Sequence, residues 1–190
     1  MAKIAITVAL LLPEDIMDKA IDINSQSSED PIKLNKENCL PHLTLSMGAV
    51  EEENLPKIEE ILTEIGEKFS KLLLTIDKIS KGHSCFEIED NENLQKLHEE
   101  IMMRLSPYFS YDAKLNMCFS PPVVVERTLF WINGFKDNTS FENFYPHITL
   151  GISKLNEQKL NIDFMASKLA VCHLGNYCTC RKILFSLDLD

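Results

Sequence analysis

The stretch LPHLTLSMG, residues 40–48, has an echo in YPHITLGIS, residues 145–153. Each contains Pro-His-apolar-Thr-Leu, and together they use two of the five histidines of the chain. Successive side chains of a β-strand point to opposite faces. Read as strands, His42, Thr44 and Ser46 share one face, and Leu43, Leu45 and Met47 the other. The second copy divides the same way, with His147, Thr149 and Gly151 opposite Ile148, Leu150 and Ile152. Each strand thus buries an apolar face and presents an imidazole and a hydroxyl, about 6–7 Å apart along the strand. Pro41 and Pro146 fit the first position of a strand, where a ladder donor is dispensable.

The chain around the echoes has 190 residues, enough for one domain of two lobes around a cleft. Apolar residues make up 45% and charged residues 25%, the balance of a globular protein with a core. Asp and Glu number 29 against 19 Lys and Arg, a formal charge of −10, and the arginines are Arg104, Arg127 and Arg181 alone. Such a surface repels a long nucleic acid duplex, which is held by clustered cations. A nucleotide or a single RNA end in a locally positive cleft is compatible with it. The apolar run Ile4–Leu12 is too short to span a bilayer. Pro13, Glu14 and Asp15 stand where a signal cleavage site needs small residues, so no membrane association is expected and the protein is expected to be cytoplasmic. Its six cysteines are then expected as reduced thiols.

Alternation of Ile4, Ile6 and Val8 predicts a buried first strand. Pro13 opens a helix with Ile16, Met17, Ala20 and Ile21 on one face, and Ser25–Pro31 is a polar loop. After the strand His42–Met47, helical spacing of Leu55, Ile58, Ile61, Leu62, Ile65 and Phe69 predicts a helix from about Asn54 to Phe69. Leu72–Ile76 and Cys85–Ile88 read as strands, and Asn91 as the cap of a helix that turns Leu94, Leu97, Ile101 and Leu105 inward. Pro107–Pro122 is irregular, Val123–Phe135 is strand-like, and Phe144–Ile152 leads into the second echo. Strands near Leu169–Leu174 and Lys182–Leu187 end the chain. The order of elements around each echo implies an internal duplication.

Two histidines suit phosphoester hydrolysis without a metal. A neutral imidazole takes a proton from the attacking water or hydroxyl, and an imidazolium gives one to the departing oxygen. Threonine hydroxyls can hydrogen-bond the non-bridging oxygens, where charge builds up in the transition state. Gly151 leaves room on the polar face for a ligand. The alternative, that each histidine is a satisfied structural residue, suits one copy better than two with the same wording.

On His42-Leu43-Thr44 and His147-Ile148-Thr149 the chain resembles the 2H phosphoesterase superfamily, which includes 2'-5' RNA ligase-like proteins and cyclic nucleotide phosphodiesterases. Motif spacing, strand context and chain length all fit. The resemblance implies an α+β fold, bilobal and duplicated, over residues 1–190, with two antiparallel sheets facing a central cleft and helices outside. It implies a monomer that opens cyclic phosphates or cleaves 2'-5' or 3' ends of nucleotides or RNA, with no metal and no cofactor. His42, Thr44, His147 and Thr149 would be catalytic, and Ser46, Tyr145, Tyr177 and Arg181 would contact the substrate. The chain departs from the family in Ser106–Asn138, longer than the family needs between its helix and second motif. A second class, a non-catalytic module that binds nucleotides or RNA ends with the same fold, is disfavoured by the intact His and Thr pairs.

Cys172, His173, Cys178 and Cys180 crowd the C-terminal region, but their spacing matches no common zinc site, and alternation sets Cys172 and His173 on opposite faces. His83 at a turn and His98 at a helix border are expected to be solvated, Trp131 to be core, and Glu51–Glu53 and Glu99–Glu100 to be surface.

Overall fold

The computed structural model describes residues 2–80, 82–119 and 125–190. Eight strands run in chain order as β1 (Lys3–Leu11), β2 (His42–Glu51), β3 (Leu72–Ile79), β4 (Cys85–Ile88), β5 (His147–Thr149), β6 (Gln158–Ala166), β7 (Lys168–Leu174) and β8 (Cys180–Asp188). Four α-helices are α1 (Glu14–Ser25), α2 (Leu55–Gly66), α3 (Glu92–Leu105) and α4 (Glu126–Asn138). The fold is α+β, as expected. The two facing sheets are not found: the strands form one antiparallel sheet in the order β6-β3-β4-β5-β2-β1-β7-β8. Its two halves are joined where β5 meets β2, at the single pair Leu43 and Ile148. The reason is that the two motif strands are the inner edges of their halves and pair with each other.

Central position explains the composition of β1. It is paired on both edges, and Ile4, Ile6, Val8 and Leu10 point into the main core while Ala5, Ala9 and Leu11 are buried on the other face. Helices α1, α2 and α3 cover the first face with residues at helical spacing, among them Ile16 and Ala20, Ile58 and Leu62, Leu94 and Leu97. Each fully buried Leu or Ile contributes about 1.5–3 kcal/mol of transfer free energy. Asn91 caps α3 as expected, its side chain accepting from the N–H groups of Asn93 and Leu94 at 3.1 and 3.0 Å. Helix α2 ends earlier than expected, at Gly66, whose bare Cα lets Leu187 of β8 pack against it.

Three expectations need correction. The strand-like stretch Val123–Phe135 is helical from Glu126, and Val123 and Val124 lie outside the described residues. Its buried side chains Thr128, Ile132 and Phe135 recur at helical spacing, a period hidden by the apolar, β-branched start of the run. Helix α4 packs Ile132 and Phe135 on Ala5, Met47 and Ala49, so it lies on the opposite face from the other helices. Strand β6 has no counterpart among the expected strands, although Leu160, Ile162 and Phe164 alternate with polar residues along this sheet edge. Finally, the cysteines are not all reduced: Cys172 and Cys180 form a disulfide between β7 and β8, while Cys39, Cys85, Cys118 and Cys178 are free. Leu174 pairs with Cys180 across this hairpin, which brings the two sulfurs together. Among the described residues no helix is long and apolar enough to cross a membrane.

Candidate active site

The pair Leu43 and Ile148 points into the main core, so its neighbours point out of the other face. One residue to either side, the same antiparallel register sets Thr44 opposite His147 and His42 opposite Thr149. The four motif side chains therefore form a square on one sheet face, with the histidines on a diagonal of about 7–8 Å. Two rows cross the sheet through this square. One runs Lys78, Glu87, His147, Thr44, Ala9 and Ala170; the other runs Cys85, Thr149, His42, Leu11 and Lys168. The motifs meet side by side on one face and not across a gap between two sheets.

Both imidazoles are held alike. His42 Nδ1 lies 2.8 Å from the carbonyl of Leu40, and His147 Nδ1 lies 2.8 Å from the carbonyl of Tyr145. A carbonyl only accepts, so each Nδ1 carries its proton and each Nε2 presents a lone pair. The acceptor is in both cases the residue before the motif proline, which the Pro-His wording places two residues upstream. Burial pushes both imidazoles below the ordinary histidine pKa, although each carbonyl partner acts against the shift, and His147 adds to the lowering of His42. At neutral pH both rings are then mainly neutral and competent to accept a proton.

Ser46 does not join the square. The register of β1 against β2 slips between Val8 and Ala9, so Thr44 pairs with Ala9 but Ser46 with Val8. This bulge turns Ser46 towards the core, where it is fully buried and its hydroxyl has no hydrogen-bond partner among the described residues. Gly151 leaves no room for a ligand either: with φ at +145° it makes way for the Asp30 carboxylate, which a Cβ would strike. Asp30, 1% exposed, accepts from the N–H groups of Ile32 at 2.9 Å and of Ile152 and Ser153 at 2.7 Å each. Asn24 donates to the carbonyl of Leu150 at 2.8 Å. The polar loop after α1 thus clamps the chain directly beyond Thr149.

Tyr145 stacks on the His147 ring at 5.4 Å between centroids, and the Glu87 carboxylate adds to the burial that raises the pKa of its hydroxyl. His98, expected to be solvated, is fully buried. Its Nδ1 donates at 2.6 Å to the carbonyl of Leu45, beside the β2 bulge, and its Nε2 accepts from Phe141 N–H at 2.8 Å. Its ring stacks on Phe144 at 4.0 Å. One side chain thus ties the first motif strand to the segment that leads into the second. His83 is exposed, as expected. Trp131 is half-buried with the Arg127 guanidinium 5.5 Å from its ring centroid. Glu51 is only partly exposed, with one carboxylate oxygen buried.

Tyr177 and Arg181 line a cavity of about 370 Å³ together with Ile32, Cys39, Phe119 and Thr179. Cys39 lies three residues before His42, and Leu40 N–H donates to the carbonyl of Cys180 at 3.0 Å, so this cavity adjoins the first motif. Tyr177 and Cys178 hold positive φ angles of 57° and 56° at its rim. Among the described residues no three His, Cys, Asp or Glu side chains gather as a metal site.

This helix-backed antiparallel sheet is LigT-like in fold. The chain aligns with TT0787 of Thermus thermophilus at a TM-score of 0.65 and 14% identity, over 98% of each chain. It aligns with E. coli LigT complexed with ATP at a TM-score of 0.59 and 14% identity, over 100% of this chain and 99% of LigT. With E. coli LigT complexed with NADP+ the TM-score is 0.57 and the identity 15%, over 99% of each. No family model and no curated protein matches the sequence. At 14–15% identity the likeness to these solved structures is one of fold.

Proposed function

We propose that the protein is a metal-independent phosphoesterase that opens cyclic phosphates, or cleaves 2'-5' or 3' phosphodiester ends, of nucleotides or RNA. The observation that carries this reading is the square of His42, Thr44, His147 and Thr149, in which both histidines share a tautomer with Nε2 unengaged by the hydrogen bonds that hold Nδ1. A phosphate between the two rings meets one imidazole that removes a proton from the attacking water and one that protonates the leaving oxygen. Thr44 and Thr149 donate hydrogen bonds to the non-bridging oxygens, where negative charge accumulates. The chemistry balances without an ion, because the proton taken at one imidazole is matched by the proton given at the other.

The cavity beside the first motif suits the nucleoside part of such a substrate, with Tyr177 offering a ring and Arg181 a charge. The solved E. coli LigT complexes hold ATP, NADP+ and 3'-AMP, which makes a nucleotide the first ligand to try. Tyr145 contributes its ring to the His147 side of the site.

The test is turnover of 2',3'-cyclic mononucleotides in EDTA by the wild type, His42→Ala and His147→Ala. Each variant is expected to lose about 10²–10⁴ in rate, the share of a general acid or base. Because burial lowers both imidazole pKa values, the acid limb of the pH profile is expected below the ordinary histidine value of 6.5. Binding without turnover in the wild type would identify a non-catalytic nucleotide module instead, and turnover restored only by a divalent ion would overturn the mechanism.

A further inference from the structure

The two motifs are alike in wording but not in surroundings. Across from His42, β1 places Leu11, an apolar side chain. Across from His147, β4 places Glu87, on the same face and at cross-strand pairing distance, about 4.5–5.5 Å between Cβ atoms. Glu87 is itself held from three sides. The Ser80 hydroxyl and the hydroxyl of Tyr145, whose ring lies on His147, both favour its charged form, and Lys78 on β3 ion-pairs with it at 3.4 Å. Burial pushes the Glu87 carboxyl upward, but these partners outweigh it and hold the group below the ordinary carboxylate range, so it is an anion at neutral pH. The Tyr145 hydroxyl is pushed well above its ordinary pKa by burial and by Glu87, so it stays protonated beside the carboxylate.

Resting on the phosphoesterase reading, we infer that Glu87 is a positioning residue for His147 that makes His147 the proton donor of the reaction and leaves His42 as the proton acceptor. An anion beside one ring favours its imidazolium form, and an apolar neighbour beside the other favours the neutral form. The water proton passes to His42 Nε2 as the new P–O bond forms. His147 in its imidazolium form gives its Nε2 proton to the departing ring oxygen as the old P–O bond breaks. Burial and a charged His83 act against the imidazolium of His147, the His83 effect being larger than that of Glu87, so Glu87 offsets part of a lowering that it does not cancel. Cys85 is a neutral thiol, pushed up to about 11 by burial. His83, on the β3–β4 turn, and His42 on β2 oppose a second positive charge only when they are themselves protonated. The Lys78 charge is shared with Glu87.

Glu87→Gln keeps the shape and removes the charge. The kcat/KM profile of this variant on 2',3'-cyclic AMP is expected to keep its acid limb and to move its alkaline limb to lower pH by about 0.5–1 unit, less than a fully buried pair would give. Loss of the carboxylate lowers the His147 pKa, so the donor gives up its proton earlier as pH rises. Glu87→Asp is expected to retain most of the wild-type alkaline limb. NMR titration of the His147 ring in the wild type and Glu87→Gln reads the same shift without turnover. A shift of the acid limb would reverse the two roles, and unmoved limbs with an unmoved His147 titration would remove Glu87 from the mechanism while leaving the phosphoesterase reading intact. A wild type without turnover would overturn the donor assignment together with that reading.

Discussion

Replacing Asp30 tests the clamp behind the second motif. Its carboxylate is buried and accepts three backbone N–H groups, from Ile32, Ile152 and Ser153. Asp30→Ala strands all three. A buried donor without a partner costs about 1–3 kcal/mol. The N–H of Ile32 is enclosed, whereas Ile152 is 44% exposed and water can serve its side of the clamp. The expected loss is therefore about 3–5 kcal/mol, below the sum of three full penalties. Asp30→Asn keeps one acceptor but turns an NH2 group towards a donor, for an expected loss of about 2–3 kcal/mol. Urea unfolding at pH 7 reads both as a lower midpoint with an unchanged slope. The pH dependence follows from the sign of the shift. Burial pushes the Asp30 carboxyl up, but the Ser153, Ile32 and Ile152 N–H groups outweigh it and hold the pKa below 3.8. The stabilisation is thus complete above about pH 4 and is lost as pH falls through the folded-state value, so the wild type and Asp30→Asn converge in acid. A loss under about 1 kcal/mol in Asp30→Ala at pH 7 would refute the clamp.

Other perturbations separate structure from chemistry. His98→Ala leaves the Leu45 carbonyl and the Phe141 N–H unpartnered and removes a ring stacked on Phe144, for an expected loss of about 3–4 kcal/mol by denaturation. Asn91→Ala removes the α3 cap and is expected to cost about 1 kcal/mol by the same measurement, with activity unchanged. Thr44→Ala and Thr149→Ala are expected to lower kcat by less than either histidine variant and to leave the melting temperature nearly unmoved, since both side chains are half-exposed on the open face.

The square was legible because its two signals are local. His-x-Thr on a strand fixes a shared face, and the proline directly before each histidine marks the strand start in both copies. Ser46 shows where period-two reading stops: one slipped register between Val8 and Ala9 turns the residue over, and nothing in the β2 stretch announces it. Helix α4 was hidden because a short apolar run has no decisive period, and its buried Thr128 reads as polar. Glu87 and Asp30 gave no local signal at all. Glu87 meets His147 through the register of two strands far apart in sequence, and Asp30 reaches Ile152 and Ser153 from a loop that looked like ordinary polar surface. The disulfide escaped because pairing across the β7–β8 hairpin depends on register, not on spacing.

The strand order also bears on how the chain is made. β1 is synthesised before every other strand, yet one of its two neighbours is β7, which begins at Lys168. Until then the run Lys3–Leu11 has a free edge of unpaired amides on an almost wholly apolar strand, the kind of edge that templates aggregation. Both His-Thr motifs are translated before residue 168, so both are complete in sequence while the sheet that holds the first of them still lacks a side. Chains ending at Ser167 are expected to aggregate, or to be cut within residues 3–51 by a non-specific protease, whereas residues 1–190 resist. A soluble, protease-resistant truncation would show that β2 alone protects β1. On this view the first motif waits, during synthesis, for a strand that lends it no side chain at all.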